Sequence, residues 1–336
     1  MMQQSAKKIL VYGAGAIGSV LTVRLTLAGH QVSVIARGEN YHVISKEGIH
    51  LEDLTGHHHI RPYRVVSDVS ELEPQDYIFI ATKFHALAEI TPQLKALLHD
   101  DTVIVPLMNG IPFWYFYGIE HSSEKTYIKS LDPNAQLSTQ FPLKNLIGSV
   151  VFITAQLLQS GKVKSINPYL LIFGEPDHQL SNRLKQLIEL FVDTNIEARP
   201  VETIRDQIWT KVMANLSSNP LSVVANTSLD QIYSHPYLHP ISRAITQEVR
   251  QVAACYGARI TIDPTTFLKL GTEMGATYTS MWYDYQKKHR LELESIADAV
   301  FELAEVYGCE MPMTRCIYDL TQFLSTQSLK QEGAAS

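Results

Sequence analysis

The sequence predicts an α/β protein. Its N-terminal part alternates strands and helices, and its C-terminal part is all helical. Three observations carry this reading. A glycine-rich turn near the N-terminus joins a short β-rich run to a helical one. Strand signals then alternate with helical spacing as far as Arg199-Pro200. Beyond that point long helical patterns take over. The chain has 336 residues, 45% of them apolar, which is enough for two domains with separate cores. We therefore expect domains over 1–200 and 201–325, followed by a frayed polar tail over 326–336.

Composition narrows the class of function. Charged residues make up 18%, too few for a disordered or coiled-coil chain. With 28 basic and 34 acidic residues the net charge is -6, so there is no positive field to hold a polyanion, and a nucleic-acid partner is not expected. Cys255, Cys309 and Cys316 form no C-x-x-C pair, which fits a reducing compartment. No run of eighteen uncharged apolar residues occurs, so no membrane span is expected. Lys7-Lys8 before an apolar run imitates a signal peptide, but Arg24 ends the run and no small-residue cleavage site follows. A cytoplasmic location is the expectation.

The elements follow in order. Lys8–Tyr12 reads as a buried strand, Ser19–Ala28 as a helix closed by Gly29, and Gln31–Ala36 as a second strand. Tyr77–Ala81 and Thr102–Pro106 are further strands, with a helix between them from His85 to Leu98. Residues 118–145 read as loop and hairpin, 147–158 as strand-rich, and Tyr169–Phe173 as a strand. The helical patterns cover 203–225, 236–256, 264–273 and 280–307.

Gly13-Ala14-Gly15-Ala16-Ile17-Gly18 lies between the first strand and the first helix, as G-x-G-x-x-G does in a Rossmann-like dinucleotide-binding domain. Gly13 permits the tight turn, Gly15 lets a pyrophosphate approach the backbone, and Gly18 lets the helix pack on the strand. NAD enzymes place an acidic residue at the end of the second strand for the ribose 2′-hydroxyl. Here Ala36-Arg37-Gly38 stands instead. Arg37 can pair with a 2′-phosphate and stack on adenine, which favours NADP(H), although Glu39 is close enough to oppose the phosphate.

Lys83 and Asn109 follow two of the strands at their carboxyl ends, where ligands gather in open α/β sheets. Each could serve cofactor or substrate, or be a turn residue. The aromatic run Ile111–Tyr117 either walls a pocket or packs in a core. Adjacent histidines His57, His58 and His59 would alternate between faces on a strand and so do not converge. They read as an exposed loop, and no metal site is expected.

In the helical half, Lys211, Asn215 and Asn219 recur every fourth residue and share one helical stripe. Pro220 should kink that helix. Burial would lower the Lys211 pKa and suit it to proton donation, while an amphipathic helix with a polar edge is the plainer alternative.

Taken together, the chain resembles the ketopantoate reductase (2-dehydropantoate 2-reductase) family over about residues 8–322. The motifs that carry the resemblance are GAGAIG at Gly13–Gly18, Thr82-Lys83, Asn109-Gly110, WTKVMANLSSNPL at Trp209–Leu221, and Ser280-Met281 through Asp284 to Glu292. The resemblance implies a Rossmann domain followed by a helical domain. It also implies NADPH-dependent reduction of ketopantoate to pantoate in pantothenate and coenzyme A biosynthesis. By the same resemblance Lys211 is the general acid and Glu292 its orienting carboxylate. Asn109, Asn215, Asn219 and Ser280 bind the keto acid, and Gly13 to Gly18, Arg37, Lys83 and Asn109 serve the cofactor. The segment after Asn109-Gly110 is more elaborate than in shorter family members, which bears on the substrate more than on the reaction type, so a reductase for another 2-keto acid is one alternative. An NADP(H)-binding regulatory protein is another, against which the Lys211, Asn215, Asn219 stripe speaks, because binding alone needs no acid. A homodimer is compatible with the sequence, which does not fix the assembly.

Overall fold

The computed structural model describes residues 7–120 and 126–333, with side chains described through residue 328. The chain divides into two compact units. The first takes the chain through Met108, then Tyr117–Glu120 and Ala135–Ile204. The second takes Asn109–Phe116, residues 126–134, and residues 205–333.

The first unit contains the strands β1 (Lys8–Tyr12), β2 (Gln31–Ile35), β3 (Ile49–Asp53), β4 (Gly56–Ile60), β5 (Arg64–Val66), β6 (Tyr77–Ile80) and β7 (Val103–Pro106). It continues with β8 (Gly148–Phe152), β9 (Ala155–Gln159), β10 (Lys162–Ser165), β11 (Tyr169–Gly174) and β12 (Ile196–Pro200). Its α-helices are α1 (Ala16–Leu27), α2 (Gly38–Glu47), α3 (Leu87–Leu94), α4 (Gln136–Gln140) and α5 (Asn182–Glu189).

Five strands form a parallel sheet in the order β5-β2-β1-β6-β7. The runs ILVY, VSVI, YIFI and VIVP are buried at every position, the pattern of strands covered on both faces. The winding reverses at β1, with β2 on one side and β6 on the other. Their carboxyl ends therefore frame a crevice of the kind in which α/β sheets bind ligands. Two smaller sheets, β4-β3-β10-β9 and β12-β11-β8, complete the unit. Arg24 of α1 and Asp53 of β3 form a buried ion pair, to which the Tyr169 hydroxyl also donates at 2.8 Å.

Several expectations need correction. His57–His59 lie on strand β4, not in a loop, because Gly56 at φ +119° turns the chain back onto β3. Their alternation holds, with His57 and His59 exposed and His58 half-buried. Among the described residues no group of three or more His, Cys, Asp or Glu side chains could hold a metal ion. The hairpin expected within 118–145 is not seen: the described residues there carry α4 and a 3-10 turn at Leu143–Asn145 and no strand, while 121–125 lie outside the described residues.

The second unit is helical: α6 (Ile204–Ala225, of which Ile204 counts with the first unit), α7 (Leu229–Ser234), α8 (His239–Cys255), α9 (Pro264–Glu273), α10 (Ser280–Gln286), α11 (Ala299–Val306) and α12 (Pro312–Gly333). No helix among the described residues is long and apolar enough to cross a membrane. α6 runs through Pro220 without interruption, and α12 continues through Gly333. The expected single helix over 280–307 is broken. α10 ends at Gln286, Lys288 takes φ +55°, and a π-helical turn at Glu294–Asp298 then leads into α11. The run Lys287-Lys288-His289-Arg290 offers no apolar residue to bury, so nothing holds that turn helical.

The aromatic segment proves to be core. Phe113, Trp114, Tyr115 and Phe116 are all buried. The fully buried Trp209 indole donates to the Tyr115 hydroxyl at 2.8 Å, and Arg205 donates to the Tyr115 carbonyl at 2.8 Å. This segment thus anchors the start of α6. At its other end Gly110, at φ +88°, meets the π-turn: a Cβ there would stand 2.3 Å from the Ser295 carbonyl oxygen, to which the Ile111 N–H also donates at 2.8 Å. Gly110→Ala should therefore cost about 1–3 kcal/mol or more in urea unfolding, because both the backbone angle and the contact resist a methyl group. An unchanged midpoint would show that the turn is not held there.

Candidate active site

The glycine-rich turn has the form its sequence predicts. Gly13 sits at φ +111°, where an L side chain is strained, and its N–H donates to the Ile35 carbonyl at 3.1 Å, tying the turn to the end of β2. A Cβ on Gly18 would lie 1.9 Å from the Gly13 carbonyl oxygen, so turn and helix approach to a distance that glycine alone allows. Gly15 is different. It is the N-cap of α1, and a Cβ there would meet nothing within 4 Å. Ala14 is buried, while Ala16 and Ile17 open the first turn of α1. That helix has no side-chain cap and no acid in its first turn. Its leading N–H groups and positive dipole end favour an anion, so the cradle fits the pyrophosphate of a dinucleotide.

Arg37 follows β2 and is the N-cap residue of α2. Its guanidinium pairs with Glu89 of α3 at 2.7 Å, and that hydrogen bond, ahead of the Coulombic attraction, raises its pKa. The expected opponent, Glu39, turns instead to the Ser160 hydroxyl, which donates to it at 3.0 Å. Lys83 follows β6, is exposed, and caps the 3-10 turn Phe84–Ala86. These residues gather on the carboxyl edge of the parallel sheet in the first unit.

Asn109 belongs to the second unit, half-buried and one residue before the Gly110 contact with Ser295. Glu292 is half-buried just ahead of that same π-turn. The Asn109 turn and the Glu292 segment are thereby joined through backbone.

On α6, Lys211, Asn215 and Asn219 form the expected stripe. Lys211 is half-buried, and desolvation pushes its pKa down from 10.5 to about 8. Asn215 is buried, and its Nδ2 has no hydrogen-bond partner among the described residues. A buried amide donor left open costs about 1–3 kcal/mol, a burden that folding alone does not require and that a bound acceptor would relieve. Asn219 is also buried, and its Oδ1 accepts from the Ser218 hydroxyl at 3.3 Å. Ser280 is exposed at the start of α10. The preceding Thr279 and Ser222 of α6 share a 2.6 Å hydrogen bond, which fixes Ser280 beside the helix turn that follows Asn219. Sequence reasoning missed Glu89, the 2.8 Å hydrogen bond that the Tyr12 hydroxyl at the end of β1 donates to Gln93 of α3, and the Ser222–Thr279 link. None carries a local signal, since each depends on strand register or helix packing.

Comparison with known proteins identifies the family. The family model described as "Ketopantoate reductase PanE/ApbA" matches residues 9–178, and its C-terminal companion matches 203–325. A 2-dehydropantoate 2-reductase of Mesorhizobium japonicum is 30% identical over 322 residues, covering 95% of this chain and 98% of that protein. The crystal structure of 2-dehydropantoate 2-reductase from Methylococcus capsulatus superposes with a TM-score of 0.78 at 27% identity, covering 95% of this chain and 97% of that one. The ternary structure of D-mandelate dehydrogenase with NADH and anilino(oxo)acetate shares the fold, with a TM-score of 0.81 at 20% identity over 96% of this chain and 99% of that one. Matched by both family models along most of its length and related nearly end to end to a 2-dehydropantoate 2-reductase, the chain belongs to the ketopantoate reductase PanE/ApbA family of NADP-dependent oxidoreductases.

Proposed function

We propose that this oxidoreductase uses NADPH to reduce ketopantoate to pantoate, a step in pantothenate and coenzyme A biosynthesis. In this reading residues 1–200 carry the cofactor groups and 201–325 the acid and most of the substrate groups. The observation that carries the reading is the α6 stripe: a lysine with its pKa near 8 aligned with a buried asparagine whose amide donor is open. Bound NADPH supplies the hydride that reduces the C2 carbonyl. Lys211 stabilises the charge that develops on the carbonyl oxygen and donates the proton that makes it a hydroxyl. Glu292 orients the lysine. Asn215, Asn219 and Ser280 offer hydrogen bonds to the carboxylate and the terminal hydroxyl, and Asn109 and Lys83 position substrate and cofactor. The uncapped start of α1 holds the pyrophosphate, and Arg37 serves the 2′-phosphate.

A site built around a substrate hydroxyl penalises an analogue that lacks it, because its own polar groups are left unpaired. Wild type should therefore favour ketopantoate over 2-ketoisovalerate by about tenfold or more in kcat/KM, the worth of one hydrogen bond. Asn219→Ala or Ser280→Ala should raise KM for ketopantoate and shrink that ratio. Equal reduction of both acids by wild type would point to a reductase with another side-chain preference.

A further inference from the structure

Arg37 and Glu89 are 52 residues apart in sequence, yet their side chains meet at 2.7 Å. Both stand at the carboxyl edge of the parallel sheet. Arg37 follows β2 directly, and Glu89 lies in the first turn of α3, which follows β6. β2 and β6 are not neighbours, since β1 runs between them and leads into the glycine turn. The ion pair therefore reaches across the carboxyl end of β1. Tyr12, the last residue of β1, touches the same helix: its hydroxyl donates to Gln93, one helical turn beyond Glu89, at 2.8 Å.

Such a pair is a poor structural tie. The side chains of Arg37 and Glu89 remain 55% and 60% exposed, and ion pairs this open contribute little to stability. Its chemistry bears instead on the ribose. The end of β2 lacks the acidic residue that accepts the 2′-hydroxyl in NAD enzymes. Glu89 brings a carboxylate to the same place from another element. A 2′-hydroxyl can donate to that carboxylate. A 2′-phosphate cannot: it repels the carboxylate and must take Arg37 away from it.

We propose that Glu89 is a specificity-determining residue that narrows the preference for NADPH over NADH, competing with the 2′-phosphate for Arg37 and accepting the 2′-hydroxyl of NADH. This rests on the reading that the glycine cradle holds a nicotinamide dinucleotide. The chain is thereby set to accept both cofactors, with Arg37 serving one and Glu89 the other.

The test is equilibrium titration of wild type, Glu89→Gln and Arg37→Ala with NADPH and with NADH, followed by cofactor fluorescence. Glu89→Gln should tighten NADPH and weaken NADH, raising the ratio of the two affinities by on the order of tenfold, the worth of one charge-assisted hydrogen bond. Arg37→Ala should move the ratio the opposite way by a similar factor. If Glu89→Gln shifts both cofactors equally, or loosens NADPH, the proposal fails while the cradle reading stands. If wild type binds neither cofactor, the cradle reading fails and this proposal with it. Because the pair is exposed, the thermal midpoint of Glu89→Gln should stay at the wild-type value, so that a changed ratio reports recognition.

Discussion

Lys211→Ala should lower kcat by about 10²–10⁴-fold, the usual worth of a positioned general acid, while NADPH affinity stays near wild type. The reason lies in where Lys211 sits. It is in the second unit on α6, whereas the glycine turn and Arg37 are in the first. Its desolvated ammonium, with a pKa near 8, is a stronger acid than an ordinary lysine. The wild-type pH profile should show the same group. Reduction needs Lys211 protonated, so kcat/KM for the keto acid should hold below pH 8 and fall as pH rises through about 8. A bound substrate carboxylate favours the charged lysine, so the corresponding limb of kcat should lie at higher pH. A variant with near-normal kcat, or a flat alkaline limb in wild type, would remove Lys211 from the chemistry.

Gly15→Val and Gly18→Val should fail in different ways, although the two glycines lie three residues apart. At Gly15 the space ahead of a Cβ is open, so valine should fold normally and place its methyl groups where the pyrophosphate meets the backbone. Cofactor titration should then show NADPH and NADH weakened alike, by 100-fold or more on the order-of-magnitude scale of several lost charge-assisted hydrogen bonds. At Gly18 a Cβ runs into the Gly13 carbonyl at 1.9 Å, so valine should damage the fold itself, measured as a lower unfolding midpoint or insoluble protein. Normal NADPH affinity in a well-folded Gly15→Val protein would refute the cradle.

The parts of this molecule that could be read from its sequence are those governed by local chemistry. The strand–glycine turn–helix unit is one, because its backbone angles and close approach restrict the residue types at Gly13 and Gly18. The α6 stripe is another, because spacing by four residues fixes a common helix face. The break after Gln286 was not legible, since it depends on the charged turn around Lys288 adopting a left-handed angle. Nor was strand β4, whose polar histidines mask a pairing set by Gly56 and β3. The partner of Arg37 was out of reach for a different reason. Glu39 is nearby in sequence, but helix α2 carries it to Ser160, while the sheet order brings Glu89 to the guanidinium.

The short segment Asn109–Phe116 bears on how such enzymes can be recombined. It is encoded between the strands of the first unit, yet Tyr115 carries the hydrogen bonds from Trp209 and Arg205, and Gly110 is matched to Ser295. A chimera that joins the front of one relative to the back of another near residue 200 would pair a Tyr115 from one lineage with a Trp209 from the other. Fully buried aromatic contacts tolerate little change of volume, so a single crossover there breaks a core rather than exchanging a module. Grafting the helical part between relatives therefore requires two earlier pieces to travel with it, the segment from Asn109 to Phe116 and residues 126–134, whose Lys129 and Ser130 N–H groups donate to Glu302.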